Sequence, residues 1–228
     1  MKFSTSTITT AFALAAVSGL CTIPTSVEAK APKNNGKNEK NVVELKAMID
    51  SDFFKGTVTV KQKQKQRKGN KGRQQITNAK WKIDIDEIDA DICKNACDNC
   101  DNPETTLNWH VHERAIPEDG SCGDAGGHWD PTFGCGGASQ YQGDNGVCAL
   151  LANNVPGRVI KQTCEPIEDI TACEMGDLSS KMGQVEISEG RQRFSDEYIS
   201  NLDNIKDLSI VFHCGGPRVA CGNFELMD

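Results

Sequence analysis

The run LNWHVHER, residues 107–114, sets two histidines one residue apart among apolar neighbours. In an extended chain successive side chains leave opposite faces, so His110 and His112 share one face while Trp109 and Val111 take the other. Two imidazoles side by side on a rigid strand make half of a preorganised metal site. The remaining histidines are His128 in GGHWDP and His213 in VFHC, which leaves no imidazole for any other role. The four together read as a mononuclear metal site. Imidazole suits copper, zinc, iron and nickel, so the ligands alone do not choose the ion.

The flanking pattern is also β. GTVTV at 56–60 predicts a strand, and residues 76–88 predict another, with Trp81, Ile83 and Ile85 at alternate positions. Residues 184–188 and 208–213 predict two more. Between the first two lies KQKQKQRKGNKGRQQ, basic and poor in apolar residues, which fits a long hairpin connection. Residues 42–53 contain Val42, Val43, Leu45, Met48 and Ile49, a spacing that suggests a short helix or a lead-in. From His128 to Thr171 glycine is frequent and periodicity weak; with Cys135, Cys148 and Cys164 this predicts a long disulfide-stapled loop. No long amphipathic helix and no repeat is evident. The predicted class is all-β, an antiparallel Greek-key sandwich or flattened barrel.

Residues 1–29 read as an export signal: Lys2, an apolar run from Ile8 to Leu20, and small residues at Val27 and Ala29 around a cleavage site. That run is too short to span a bilayer. The chain closes on FELMD without the apolar tail of a lipid-anchor signal, so a soluble secreted chain is expected. Residues 30–53 are read as a basic flexible linker, starting with the apolar-free KAPKNNGKNEKN, and 54–228 as one β domain. Eleven cysteines less Cys21 of the signal leave ten, an even number suited to bridges in an oxidising compartment. The spacing Cys93-x3-Cys97-x2-Cys100 also matches part of a metal-thiolate site, the lesser reading for a secreted chain. Charge is divided: 30–74 carries thirteen Lys/Arg against four Asp/Glu, and 75–228 eleven against twenty-seven. A basic head therefore joins an acidic body, which bears on partners rather than fold. The stretch Lys61 to Arg73 has two readings: a contact for a polyanion such as a cell-wall polysaccharide, or, preferred, a solvated hairpin. No nucleic-acid or membrane partner is expected, and the chain is read as a monomer.

These residues resemble the copper/zinc superoxide dismutase family. HVHE at 110–113 matches its paired copper histidines, and Cys122 stands six residues before His128 as the family's structural cysteine does before the bridging imidazole. Gly176-Asp177-Leu178, His213 on an apolar strand, and Arg218-x-x-Cys221 match in order, so the likeness covers roughly 55–226. It implies the immunoglobulin-like dismutase fold, one copper on His110, His112, His128 and His213, superoxide as substrate, and a Cys122–Cys221 bridge. It also implies Arg218 beside the metal as an anion clamp, and His128 as the ring that detaches, carries a proton and returns it. Two departures match the secreted copper-only members. No histidine remains for a zinc site, and only Cys214 to Pro217 separates His213 from Arg218. In those members a carboxylate, here Glu174 in EMGDLS, takes over zinc's work of orienting the bridging-type histidine, with Asp177 as a second candidate. Zinc is expected to be absent. Rival readings are a solvated turn at Glu174 and Asp177, a zinc site of His128, Glu174 and Asp177, and a copper-binding protein of this fold without turnover.

Overall fold

The computed structural model describes residues 41–66, 74–89, 91–96, 105–143, 146–154 and 164–227. Residues 1–40, which include the stretch read as an export signal and the first part of that read as a linker, lie outside the described residues, as do Cys97, Cys100 and Arg67–Arg73. Among the described residues nine antiparallel strands are formed: β1 (Asn41–Asp50), β2 (Phe54–Gln66), β3 (Gln74–Ile76), β4 (Ala79–Ile88), β5 (Thr106–His112), β6 (Val185–Glu186), β7 (Arg191–Asp196), β8 (Ser209–His213) and β9 (Arg218–Leu226). They follow the order β6-β5-β8-β9-β1-β2-β4-β7, with β3 paired to β2. The non-consecutive neighbours are the crossovers of a Greek key, and the all-β expectation holds. The two ends of the sheet are joined through a side chain. Gln192 of β7 accepts from the Glu186 N–H (2.8 Å) and donates to the Glu186 carbonyl (2.9 Å), as a strand peptide would. The barrel is thereby nearly closed, and two strand edges are covered.

The interior follows from period two. Leu45, Ala47 and Ile49 of β1, Val58 and Val60 of β2, Trp81 and Ile83 of β4, and Leu107, Trp109 and Val111 of β5 are all fully buried. Trp81 meets the Trp109 ring edge-on at 5.5 Å and Phe54 meets Phe212 at 5.0 Å, contacts that tie β4 to β5 and β2 to β8. Burying one such side chain stabilises by about 1.5–3 kcal/mol, and edge-to-face pairing adds about 0.5–1.5 kcal/mol.

Several sequence expectations change. Residues 41–50 form a strand, not a helix or linker, because Leu45, Ala47 and Ile49 all face the core while β1 pairs with both β2 and β9. The ordered β unit therefore starts inside the 30–53 stretch. The basic hairpin is shorter than read: β2 continues through Lys61 to Gln66 and meets β3 with Gln64 opposite Ile76, since Gln62 keeps the inward position and is satisfied there. Its amide donates to the Ile199 carbonyl (2.9 Å) and accepts from the Leu202 N–H (3.2 Å). The 128–171 loop also contains a helix, Val147–Asn154. Among the described residues no helix is long and apolar enough to cross a membrane.

Candidate metal centre

His110 and His112 stand on the outer face of β5, opposite the core side chains of Leu107, Trp109 and Val111. They are nevertheless buried, because two loops cover that face. The 126–140 loop docks through Glu113 N–H to the Gly127 carbonyl (3.0 Å) and Trp129 N–H to the Val111 carbonyl (2.9 Å). The 174–178 turn docks through Val111 N–H to the Gly176 carbonyl (2.9 Å). Gly176 is required for this approach: a Cβ would sit 2.3 Å from the Val111 carbonyl oxygen. Those loops bring His128 and the pair Glu174 and Asp177 to the strand. β8 adds His213 from the neighbouring position in the sheet.

The structure brings all four histidines together. Their ring centroids lie between 4.0 and 6.3 Å apart, and one nitrogen of each falls within 4.8 Å of the others. The hydrogen bonds say which nitrogen. The Nδ1 atoms of His112 and His213 donate to the carbonyls of Gly126 (2.9 Å) and Gly216 (3.2 Å), so Nε2 keeps its lone pair in both rings. Those two Nε2 atoms face one another at 3.4 Å. His128 Nδ1 contacts a Glu174 carboxylate oxygen, again freeing Nε2. His110 is reversed: its Nε2 lies 3.5 Å from Asp177 Oδ1, and its Nδ1 is buried without any partner. Among the described residues the other such orphan is Trp81 Nε1, in the apolar core. A buried imidazole nitrogen without a partner, in a cluster with three further imidazole lone pairs, fits a cation that accepts nitrogen donors.

Electrostatics agree. Burial, chiefly, holds His112 down to about 3 and His213 down to about 4, partly offset by their bonds to Gly126 and Gly216. His110 is pushed far below the usual imidazole range by burial and then by its three imidazole neighbours. Neutral imidazole is the form that ligates.

The remaining site residues fall around this cluster. Glu174 is buried; one oxygen holds His128 and the other accepts from the Ala138 N–H (3.1 Å). Asp177 Oδ1 caps the short helix at Leu178–Met182 through the Ser180 N–H (3.0 Å) while lying beside His110. Behind His128 is a cavity of about 130 Å³ lined by Gly136, Ala138, Glu174 and Asp177. Arg218 stands opposite His213 across the β8–β9 turn. Its Nη1 donates to the Cys122 (2.7 Å) and Gly123 (3.2 Å) carbonyls, and its Nη2 to Gly126 (2.6 Å). Its charge acts on His110, His112 and His213. Cys122 is bridged to Cys221, and Cys214 to Cys93. The second bridge removes Cys93 from any thiolate cluster.

Two participants escape a sequence reading. The Gly126 carbonyl is shared by His112 and Arg218, and Gly126 holds φ +79° where a Cβ would lie 2.3 Å from Glu113. The tandem glycine before His128 is the signal for it. Asp130, fully buried, accepts from the Gly134 and Cys135 N–H groups (both 2.8 Å) and the Ser139 hydroxyl (2.7 Å), folding the loop that carries His128.

A nearly closed antiparallel barrel carrying a four-imidazole cluster on its outer face defines a β-barrel protein whose nitrogen-rich cluster could hold a metal ion. The chain resembles the copper/zinc superoxide dismutase family, and two curated relatives are named for it. A cell surface Cu-only superoxide dismutase of Arthroderma benhamiae is 30% identical over 133 residues, 54% of this chain and 29% of the relative. A cell surface Cu-Zn superoxide dismutase of Candida albicans is 26% identical over 122 residues, 51% of this chain and 30% of the relative. The chain thus spans under a third of the length of either relative. No family model and no solved structure matches it.

Proposed function

We propose that this chain is an extracellular, copper-dependent superoxide dismutase that works with one copper and without zinc. The observation carrying this reading is the buried His110 Nδ1, left without a partner among three further imidazole lone pairs. His110 would hold the ion through Nδ1, and His112, His128 and His213 through Nε2. Copper, unlike zinc, would supply one-electron chemistry there, by which two superoxide anions and two protons become dioxygen and hydrogen peroxide.

The chain's own groups do the positioning. Glu174 accepts the Nδ1 proton of His128, which fixes the tautomer and the ring angle and leaves the Nε2 lone pair toward the other imidazoles. Arg218 uses three of its five N–H donors on backbone carbonyls, leaving two and a full charge to attract an anion. The Cys122–Cys221 bridge ties the carbonyls that hold Arg218 to its own strand. Absence of zinc is supported by the donors behind His128: both Glu174 oxygens are engaged, one with His128 Nδ1 itself, and Asp177 Oδ1 serves both a helix cap and His110, which leaves Asp177 Oδ2 alone among these carboxylate oxygens for a second ion. The location is supported by four described disulfides, which persist in oxidising compartments.

The test is superoxide disappearance with copper-loaded protein and with Arg218→Ala. Turnover that falls at least tenfold in the variant, copper content unchanged, supports the reading. Stoichiometric copper binding without turnover would make the chain a copper carrier instead.

A further inference from the structure

We propose that the outer face of β2, β4 and β7 is a docking surface for an anionic polysaccharide bearing sulfate or carboxylate groups. The face lies on a different part of the barrel from the histidines and rests on observations independent of them. Strand register sets Lys61 directly opposite Lys80, and Lys82 directly opposite Arg193. All four take the outward positions, since Val60, Gln62, Ala79, Trp81, Ile83 and Gln192 take the inward ones. Like charges opposite one another on a sheet are destabilising. Two such pairs on adjoining rungs are a cost that a solvated face has no reason to carry, and a bound polyanion would remove it.

Neutralisation within the protein is incomplete. Lys61 has Glu44 (2.8 Å), and Asp84 is shared by Lys82 and Arg191. Lys63, Lys80 and Arg193 have no carboxylate in ion-pair range among the described residues, and Lys80 donates to the Ser195 hydroxyl at 2.6 Å. This patch stands on a body, residues 75–228, with eleven cations against twenty-seven anions. A polyanion is therefore repelled elsewhere and oriented onto this face.

The chemistry of the face narrows the partner. Over Thr57–Lys63, Lys80–Asp84 and Arg191–Ser195 its outward residues are lysine, arginine, threonine and serine, with Asp84 as the one carboxylate. No aromatic ring is available there for base stacking, which single-stranded nucleic acid would use. No apolar wedge is available to enter a bilayer. Ammonium and guanidinium groups set among hydroxyls suit a sugar polymer carrying fixed anions. Neighbouring strands are about 4.8 Å apart and same-face residues about 7 Å along a strand, so an extended chain crossing three strands meets several cations at once.

The experiment is heparin affinity of the full copper-loaded chain, with polygalacturonate as a carboxylate polymer and dextran as an uncharged control. Three proteins are compared: wild type, the face variant Lys63→Gln/Lys80→Gln/Arg193→Gln, and the loop variant Arg67→Gln/Lys68→Gln/Lys71→Gln/Arg73→Gln. The face variant should bind both polyanions at least tenfold more weakly, with superoxide turnover and copper content unchanged, and the loop variant should keep most of its affinity. Lys80→Gln alone should melt no lower than wild type, because it removes a repulsion. The proposal fails if the face variant binds like wild type, if the loop variant alone abolishes binding, or if Lys80→Gln melts lower. It fails too if phosphatidylserine vesicles or single-stranded DNA bind more tightly than heparin.

Discussion

At the level of single residues, the site depends on which imidazole nitrogen each neighbour occupies. Glu174 is the sharpest case, because a buried carboxylate held between His128 and the Ala138 N–H has no structural alternative as satisfying. Glu174→Ala should weaken copper binding by about 10–100-fold, the usual effect of removing such a partner, with part recovered by Glu174→Gln. Competition against a chelator measures it; undiminished affinity in the alanine variant would show that Glu174 does not orient His128. Acid gives a second prediction. His112 and His213 have their proton affinity lowered by burial to about 3 and about 4, below the usual value of 6.5. Above that usual value neither state binds the proton, so there is no penalty. As pH falls below it the unfolded chain takes up protons that the native state refuses. Stability is then lost until each folded value is passed. The metal-free protein should therefore show a urea midpoint that falls steadily from about pH 6.5 to about pH 4. A flat midpoint over that window would mean the imidazoles are more exposed than described.

Among the elements, legibility in the sequence follows how cleanly each pattern excluded its rival. The histidine strand was readable because period two and residue type agreed. β1 was not, since Val42, Val43, Leu45, Met48 and Ile49 fit a helical spacing as well as a strand, and only pairing on both sides decides between them. β7 escapes a sequence reading because two of its three inward residues are polar: Gln192 is satisfied by the Glu186 peptide of another strand and Asp196 by Lys181, with only Phe194 apolar. Among the cysteines, the Cys93–Cys214 bridge joins positions 121 residues apart, which no spacing rule reaches. The Cys122–Cys221 bridge bears on function as an element. It fastens the 3-10 turn at Cys122–Ala125 to β9, and that turn supplies carbonyls to Arg218. Replacing both cysteines by serine should cost about 2–5 kcal/mol of unfolding free energy and lower turnover more than copper content. Urea titration and metal analysis on the same sample separate the two effects. Equal turnover in the variant would show that Arg218 keeps its position without the bridge.

Across the whole molecule, charge and site pull in different directions. The −7 chain carries its excess of acid on the body that holds the four histidines, while the described cationic face lies around β2, β4 and β7. An anionic substrate gains little long-range guidance from such a body, so Arg218 and near neighbours must supply the attraction. Turnover should then change by less than about twofold as the Debye length shortens from about 10 Å to about 3 Å between 0.1 and 1 M salt; a steep fall would reveal strong steering by the molecule as a whole.

The most direct measurement is copper and zinc per chain after dialysis of the metal-free protein against equal amounts of both ions. One copper and no zinc is the predicted result, with an electron paramagnetic resonance spectrum of copper held by nitrogen donors. Two ions per chain, or zinc held behind His128, would contradict the account.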